Sequence, residues 1–330
     1  MDKSSQNRVP QLSVIMPVYN VERFLEEALD SVINQSFRDY EIIAVNDGST
    51  DQSGEILENY ALTESRLRII QTNNRGLSAA RNEGMRHATG NWIYYFDSDD
   101  MLAEGSFSEL MALVKECKCD MAAFSGVCID ENSMHIPCQQ PYLKPDQRTP
   151  TAGRELFKQM MQNDKYSPVV SMYLYRKEFL NKNHLAFSEG FIHEDEAFTI
   201  KAFFLAEHVV STRSTFHKHR IRAGSIMSEK YGLNNVKGWA KAVSDITNFM
   251  EKEELGEEDR KPVIKRLMRL VKNCAGIISE LNKESGANQS YKNWFSEKEL
   301  NMLGNEVKFM LKWPLSYRIY TRLISLFSTR

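Results

Sequence analysis

The chain lacks the features that would place it in several broad classes. Its 42 basic and 44 acidic residues leave a formal net charge of −2, so no global positive field points to nucleic acid. Its five cysteines, Cys117, Cys119, Cys128, Cys138 and Cys274, are odd in number and lack the paired Cys-x-x-Cys spacing of a zinc site. They read as reduced thiols of a cytosolic protein. No stretch approaches the roughly 18 uninterrupted apolar residues that a spanning helix needs. Residues 1–10 are polar and hold no apolar segment, so no signal peptide is expected. No Gly-x-Gly-x-x-Gly follows the first apolar run, which disfavours a dinucleotide-dependent dehydrogenase. Neither an internal repeat nor a low-complexity tract is visible. The expectation is a soluble or peripheral protein with no nucleic-acid partner.

What is present is regular alternation. The first hundred residues repeat strand and helix at roughly thirty residues, the size of a βαβ unit. Residues 12–16 form an apolar run broken by Pro17, and residues 22–34 carry Phe24, Leu25, Ala28, Leu29, Val32 and Ile33 at helical spacing. Residues 40–45 read as a second strand and 53–62 as a helix that Ser53 can cap. A third strand at 67–70, a helix at 77–88 and a strand at 92–96 follow. This order predicts an α/β fold with a mainly parallel central sheet flanked by helices.

Ligands of open α/β sheets bind beyond the carboxyl ends of the strands. Here those ends are followed by Pro17-Val18-Tyr19-Asn20, by 46–51 with Asp47 and Asp51, and by Asp97-Ser98-Asp99-Asp100. If the backbone stays extended past Phe96, Asp97 and Asp99 face one side. Two converging carboxylates suit a hard divalent cation such as Mg²⁺ or Mn²⁺. The other reading of the segment is a solvated acidic turn.

Further along, residues 121–127 and 169–175 read as strands, and 151–161 and 194–206 as helices. His193-Glu194-Asp195-Glu196 lies at a helix start, where carboxylates are favoured by the dipole. His217 and His219 alternate on a strand-like segment and face one side of it. Beyond residue 230 the composition shifts to helix formers, with helices expected at 233–251, 259–281 and 296–313. Residues 307–330 hold five cations and no acid, interleaved with aromatic and aliphatic residues. Such a tail suits a membrane surface, or packing against protein.

The motifs Ser13-Val-Ile-Met-Pro-Val-Tyr-Asn20, Asn46-Asp-Gly-Ser-Thr-Asp51, Asn74-Arg-Gly-Leu-Ser-Ala-Ala-Arg-Asn82, Asp97-Ser-Asp99 and Glu194-Asp195 occur in order over residues 10–225. In them the chain resembles the family 2 glycosyltransferases, inverting nucleotide-sugar enzymes of GT-A fold often found building bacterial polysaccharides. The resemblance implies a GT-A catalytic domain at 11–228, with a nucleotide half at 11–104 and an acceptor half at 105–228. Residues 1–10 are expected to be disordered, and 229–330 to form a helical region ending in the basic tail.

The implied roles follow residue by residue. Pro17, Tyr19 and Glu22 would line the base and ribose pocket, and Asp47 would accept the uracil N3–H. Gly76 would let backbone approach the donor, and Arg81 would bring positive charge to the diphosphate. Asp99 would bind Mn²⁺ or Mg²⁺ directly, helped by Asp97, with His219 as an added ligand and Asp100 a possible contact. Asp195 would be the general base, supported by Glu194, with Arg220 near the diphosphate. The implied partners are a UDP-sugar donor, a glycan or lipid-linked acceptor, a membrane surface reached through residues 307–330, and a second copy through the C-terminal helices. The expected location is the cytoplasmic face of the membrane. The rival readings are a sugar nucleotidyltransferase, which expects a Gly-rich phosphate loop after the first strand, and a non-catalytic nucleotide-sugar-binding scaffold.

Overall fold

A computed structural model describes residues 9–138, 142–222, 231–285, 293–305 and 308. The chain divides into two compact units. The first takes Met1–Gly190 and Phe198–Glu229; the second takes Phe191–Ala197 and Lys230–Arg330.

The first unit begins with β1 (Leu12–Val18), α1 (Glu22–Ile33), β2 (Tyr40–Asp47), α2 (Ser53–Ala61), β3 (Leu67–Thr72), α3 (Leu77–His87) and β4 (Trp92–Tyr95). It continues with β5 (Met101–Leu102), α4 (Ser106–Lys115), β6 (Met121–Ile129), β7 (His135–Ile136), β8 (Gln147–Thr151) and α5 (Gly153–Gln162). A 3-10 turn at Val170–Met172 leads to β9 (Tyr173–Arg176), α6 (Lys177–Lys182), α7 (Glu194–Leu205) and β10 (Val209–Arg220).

The strands form one sheet in the order β3-β2-β1-β4-β9-β6-β10-β5, with β7 on β6 and β8 on β10. From β3 to β4 the pairing is parallel, as helical crossovers require. The other half is mixed: β9 runs antiparallel to both β4 and β6, while β10 is parallel to β6. Every residue of β1 is buried, which is why its apolar run does not alternate. Under the sheet, α1 contributes Phe24, Leu25, Ala28, Leu29 and Val32 to the core.

Several expectations need correction. Pro17 does not end the first strand: β4 pairs β1 only as far as Ile15, so Pro17 lies where β2 alone is its neighbour, opposite Val45. Ser53 is not a cap but the first residue of α2, and its hydroxyl accepts the Val21 N–H at 3.0 Å. The backbone does not stay extended past Phe96, because Asp100 N–H closes a turn onto the Asp97 carbonyl at 3.1 Å. Nor are all thiols reduced: Cys128 on β6 and Cys138 just beyond β7 form a disulfide with Cα atoms 5.3 Å apart. Antiparallel pairing sets Cys128 opposite Ile136 and returns the chain to bonding range, a proximity that their spacing in sequence does not reveal.

The second unit holds α8 (Leu233–Lys252), α9 (Glu257–Ser285) and α10 (Glu297–Leu303), with the first residues of α7. Buried Val236, Trp239, Val243, Ile246 and Met250 recur at helical spacing on α8, as do Val263, Leu267, Leu270 and Cys274 on α9. Glu257, Glu258 and Asp259 form the first turn of α9, where the dipole favours their charges, so this helix starts two residues before the expected 259. Ser296 and Glu299 close a reciprocal capping box at the start of α10. Apart from Lys308, the basic tail at 307–330 lies outside the described residues. Among the described residues, no helix is long and apolar enough to cross a membrane.

Candidate active site

The loops after β1, β2 and β4 meet at one rim of the sheet. Thr50 N–H donates to Asn20 Oδ1 at 2.8 Å, Gln52 N–H to Glu22 Oε2 at 2.7 Å, and Glu22 N–H to Asp51 Oδ2 at 3.0 Å. The acidic and amide residues of the first two loops thus knit the rim together. Pro17 is buried inside β1, Tyr19 stands 48% exposed beyond it, and Glu22 is exposed at the start of α1.

Asp47 ends β2 and is buried. Its Oδ1 accepts from the Thr72 hydroxyl at 2.8 Å and from Arg75 N–H at 3.0 Å, and its Oδ2 accepts from Gly76 N–H at 2.7 Å. Those bonds take up most of the acceptor capacity of a carboxylate. In this structure Asp47 therefore fixes the 72–76 loop. That loop ends at Gly76, whose φ of 89° and ψ of 165° are open to glycine almost alone. A β-carbon there would meet nothing within 4 Å, so the N-terminus of α3 opens onto free space. Such a terminus attracts anions.

One turn along α3, Arg81 is buried and donates to Asp97 Oδ1 at 2.6 Å. Its guanidinium lies over the Phe187 ring at 5.3 Å. Asn82 fastens the same helix to the later chain: its Oδ1 accepts Phe187 N–H at 3.0 Å and its Nδ2 donates to Phe187 O at 2.9 Å.

The acidic turn is met by cationic side chains on β10 and just beyond its end. Arg222 Nε donates to Asp99 Oδ2 at 2.7 Å. Burial and the neighbouring Asp100 carboxylate push the Asp99 carboxyl up, against the pull of Arg222. Arg220 is fully buried and spent on structure. Its Nε donates to Asp99 O at 2.7 Å, its NH2 group to Glu27 Oε2 at 2.6 Å, and its NH1 group to Asp130 O at 3.2 Å.

Asp100, read from sequence as a possible contact, is the hub. It is 1% exposed and lies 2.9 Å from His217 Nε2 and 3.3 Å from His219 Nδ1, and it accepts the Arg220 N–H at 2.8 Å. Burial alone would raise this carboxyl, but the His219 and His217 imidazoles outweigh it and hold it well below the usual range. Burial likewise pulls His219 down, and the Asp100 carboxylate overrides it, holding His219 at about 9.

The fit to a divalent cation can be judged from these donors. Ligand atoms of Asp100, His217 and His219 lie within 4.8 Å of one another, and Asp97 and Asp99, partly exposed, belong to the same turn as Asp100. Carboxylate oxygens with imidazole nitrogens suit Mn²⁺ better than Mg²⁺, which favours an all-oxygen shell. The residues fit such an ion. The strand alternation of His217 and His219 marked either one as a candidate ligand, with His219 favoured, and both meet Asp100; Arg222 escaped sequence reasoning as a member of this cluster.

Glu194 and Asp195 belong to the second unit, in the first turn of α7. Asp195 is partly exposed and Glu194 buried.

The profile of glycosyl transferase family 2 matches residues 13–183, just over half of the chain. The chain belongs to this family. It is 34% identical over 231 residues to the uncharacterized glycosyltransferase EpsJ of Bacillus subtilis, covering 68% of this chain and 64% of that one. It is 31% identical over 222 residues to glycosyltransferase GlyA of Streptococcus pneumoniae, covering 66% of this chain and 31% of that one. The family 2 chain described here thus aligns with less than two thirds of either relative. Among solved structures, that of S. aureus TarS residues 1–349 in complex with UDP-GlcNAc superposes with a TM-score of 0.62 at 21% identity, covering 92% of each chain. That likeness establishes the GT-A fold, with its central sheet and C-terminal helices.

Proposed function

We propose that this family 2 protein is a metal-dependent inverting glycosyltransferase. It moves a sugar from a UDP-sugar to a hydroxyl of a glycan or lipid-linked oligosaccharide in cell-surface polysaccharide synthesis. The observation that carries the reading is the rim at the carboxyl ends of β1, β2 and β4. There the open α3 terminus and Arg81 stand beside the Asp97–Asp99 turn. The TarS chain that shares the fold holds UDP-GlcNAc, which supports a uridine nucleotide as donor.

In this reading Tyr19 offers its exposed ring to the uracil. Asp47 acts chiefly by holding the 72–76 loop so that the α3 N-terminus receives the diphosphate. Arg81 and Arg222 are the side-chain cations beside the departing UDP. Asp99, with Asp97 and His219, would hold the divalent cation, which when bound neutralises the leaving diphosphate as a Lewis acid. Asp195 accepts the proton of the acceptor hydroxyl as that oxygen attacks the anomeric carbon. The electrons of the sugar–phosphate bond leave with UDP, so each turnover yields one inverted glycoside, one UDP and one proton. The nucleotidyltransferase reading is weaker because the loop after β1, Tyr19 and Asn20, is not a Gly-rich phosphate loop.

The test is UDP release across a panel of UDP-sugars with Mn²⁺, repeated in EDTA and with Asp195→Asn. Loss of turnover in EDTA and a fall of about 10² to 10⁴ in the variant are expected. Metal-independent turnover, or full activity of the variant, would overturn the mechanism. The composition of residues 307–330 supports a peripheral place on the cytoplasmic membrane face. Co-sedimentation with anionic liposomes should weaken on truncation after residue 306, and equal binding would reject that placement.

A further inference from the structure

Within the second unit, α8 and α9 have no chemistry of their own in the mechanism above, yet their buried side chains converge on one short segment of that unit, Phe191–Ala197. Four separate contacts hold that segment. Glu196 forms a bidentate ion pair with Arg266 of α9: Nε donates to Oε2 at 2.9 Å and the NH2 group to Oε1. Both side chains are under 10% exposed. His193, which has a φ of 62°, stacks its ring on Trp239 of α8 with centroids 4.3 Å apart and planes 11° apart. Asn235 Nδ2 donates to His193 Nε2 at 3.2 Å, while Asn235 Oδ1 takes the Gly232 N–H at 2.9 Å. That second bond fixes the amide, so His193 Nε2 must be the acceptor and the ring is neutral. Burial, and after it Arg266, accordingly pull His193 down to about 4. Finally, Gly238 lets α8 lie directly against the segment, because a β-carbon there would fall 2.1 Å from Ile192 O.

The pinned residues are Ile192, His193 and Glu196, on both sides of Asp195. A buried ion pair is a poor way to gain stability, since a well-packed apolar pair often does as well or better. What a bidentate pair supplies is direction. A non-glycine residue at positive φ likewise persists only where its surroundings overdetermine it.

We infer that the helical unit is a clamp that fixes the backbone bearing Asp195, with Arg266, Asn235 and Trp239 as positioning residues for proton abstraction from the acceptor. This rests on the reading of Asp195 as the base. It gives the C-terminal helices a task in catalysis, exerted through Ile192, His193 and Glu196.

Two measurements test it. The paired variant E196Q/R266M removes the ion pair without orphaning a buried charge, and N235A and W239L release His193 independently should that variant fold poorly. Hydrogen–deuterium exchange should accelerate at least tenfold in a peptide covering 191–198, with the β1 to β4 amides unchanged. UDP release from UDP-GlcNAc with Mn²⁺ should lose at least tenfold in kcat with donor KM within about twofold, the pattern of a misaligned reacting group. R266K, which keeps the charge, should recover part of kcat. Asp195→Asn is measured alongside. If that variant keeps full turnover, the base assignment falls and the inference with it. If it is inactive while the clamp variants keep wild-type kcat, or leave exchange at 191–198 unmoved, the clamp alone is overturned.

Discussion

Asp100 and His217 meet at 2.9 Å with side chains 1% and 0% exposed, joining the turn after β4 to the strand β10. Removing the charge of Asp100 leaves two imidazoles and the Arg220 N–H facing a neutral amide. Asp100→Asn should therefore lose about 3 kcal/mol in urea unfolding, the scale for breaking one side of a buried pair. A loss under about 1 kcal/mol would show that the turn is held by other contacts.

Gly76 can be tested without crowding anything, since a β-carbon there points into open space. Gly76→Ala is expected to cost about 1 to 3 kcal/mol through backbone strain alone. Because the Gly76 N–H is held by Asp47, relief of that strain should shift the α3 terminus and raise donor KM more than it lowers kcat. An unchanged KM would count against a diphosphate at this terminus.

Lys144 is fully buried, and its ammonium donates to the Tyr173 hydroxyl at 2.9 Å. Burial lowers it from its ordinary 10.5 to about 7. Between those values the unfolded chain binds a proton that the folded chain does not, so this residue makes stability rise with pH over that window. Lys144→Met removes the buried ammonium and should stabilise by roughly 2 kcal/mol at pH 6.5. The gain should shrink towards zero by about pH 10, as read from the difference between variant and wild-type unfolding curves. A gain that does not change with pH would refute the assignment.

The pairing of Cys128 with Cys138 leaves Cys117, Cys119 and Cys274 as free thiols. Denatured, unreduced protein should titrate three thiols, and five after reduction. Five before reduction would show that the pair is open.

Much of the site was legible because its signals are local. The three rim loops follow strands that alternate with helices at a regular interval, and topology alone brings their ends together. Arg81 and Asp97, both read from sequence as site residues, are 16 residues apart, within one helix–strand step, and they meet in a hydrogen bond. The hub was not legible. Asp100 and His217 are 117 residues apart, and their meeting depends on the register of β5 against β10, which places His217 opposite Leu102. A two-residue strand such as β5 leaves no periodic trace. The extended geometry assumed for Asp97 and Asp99 failed for the same reason. The turn that separates them is set by the Asp97–Asp100 hydrogen bond and by Arg220 on the Asp99 carbonyl, not by any pattern in the four residues.

The ion pair of Glu196 with Arg266 also carries a consequence for synthesis. The two residues are 70 positions apart, so the ribosome releases the first long before the second. At about 5 to 20 residues per second the delay is roughly 4 to 14 s. For that interval the acidic start of α7 emerges without the guanidinium that will neutralise Glu196. The nascent chain can finish the sheet of the first unit early, but the Asp195 segment must wait for α9.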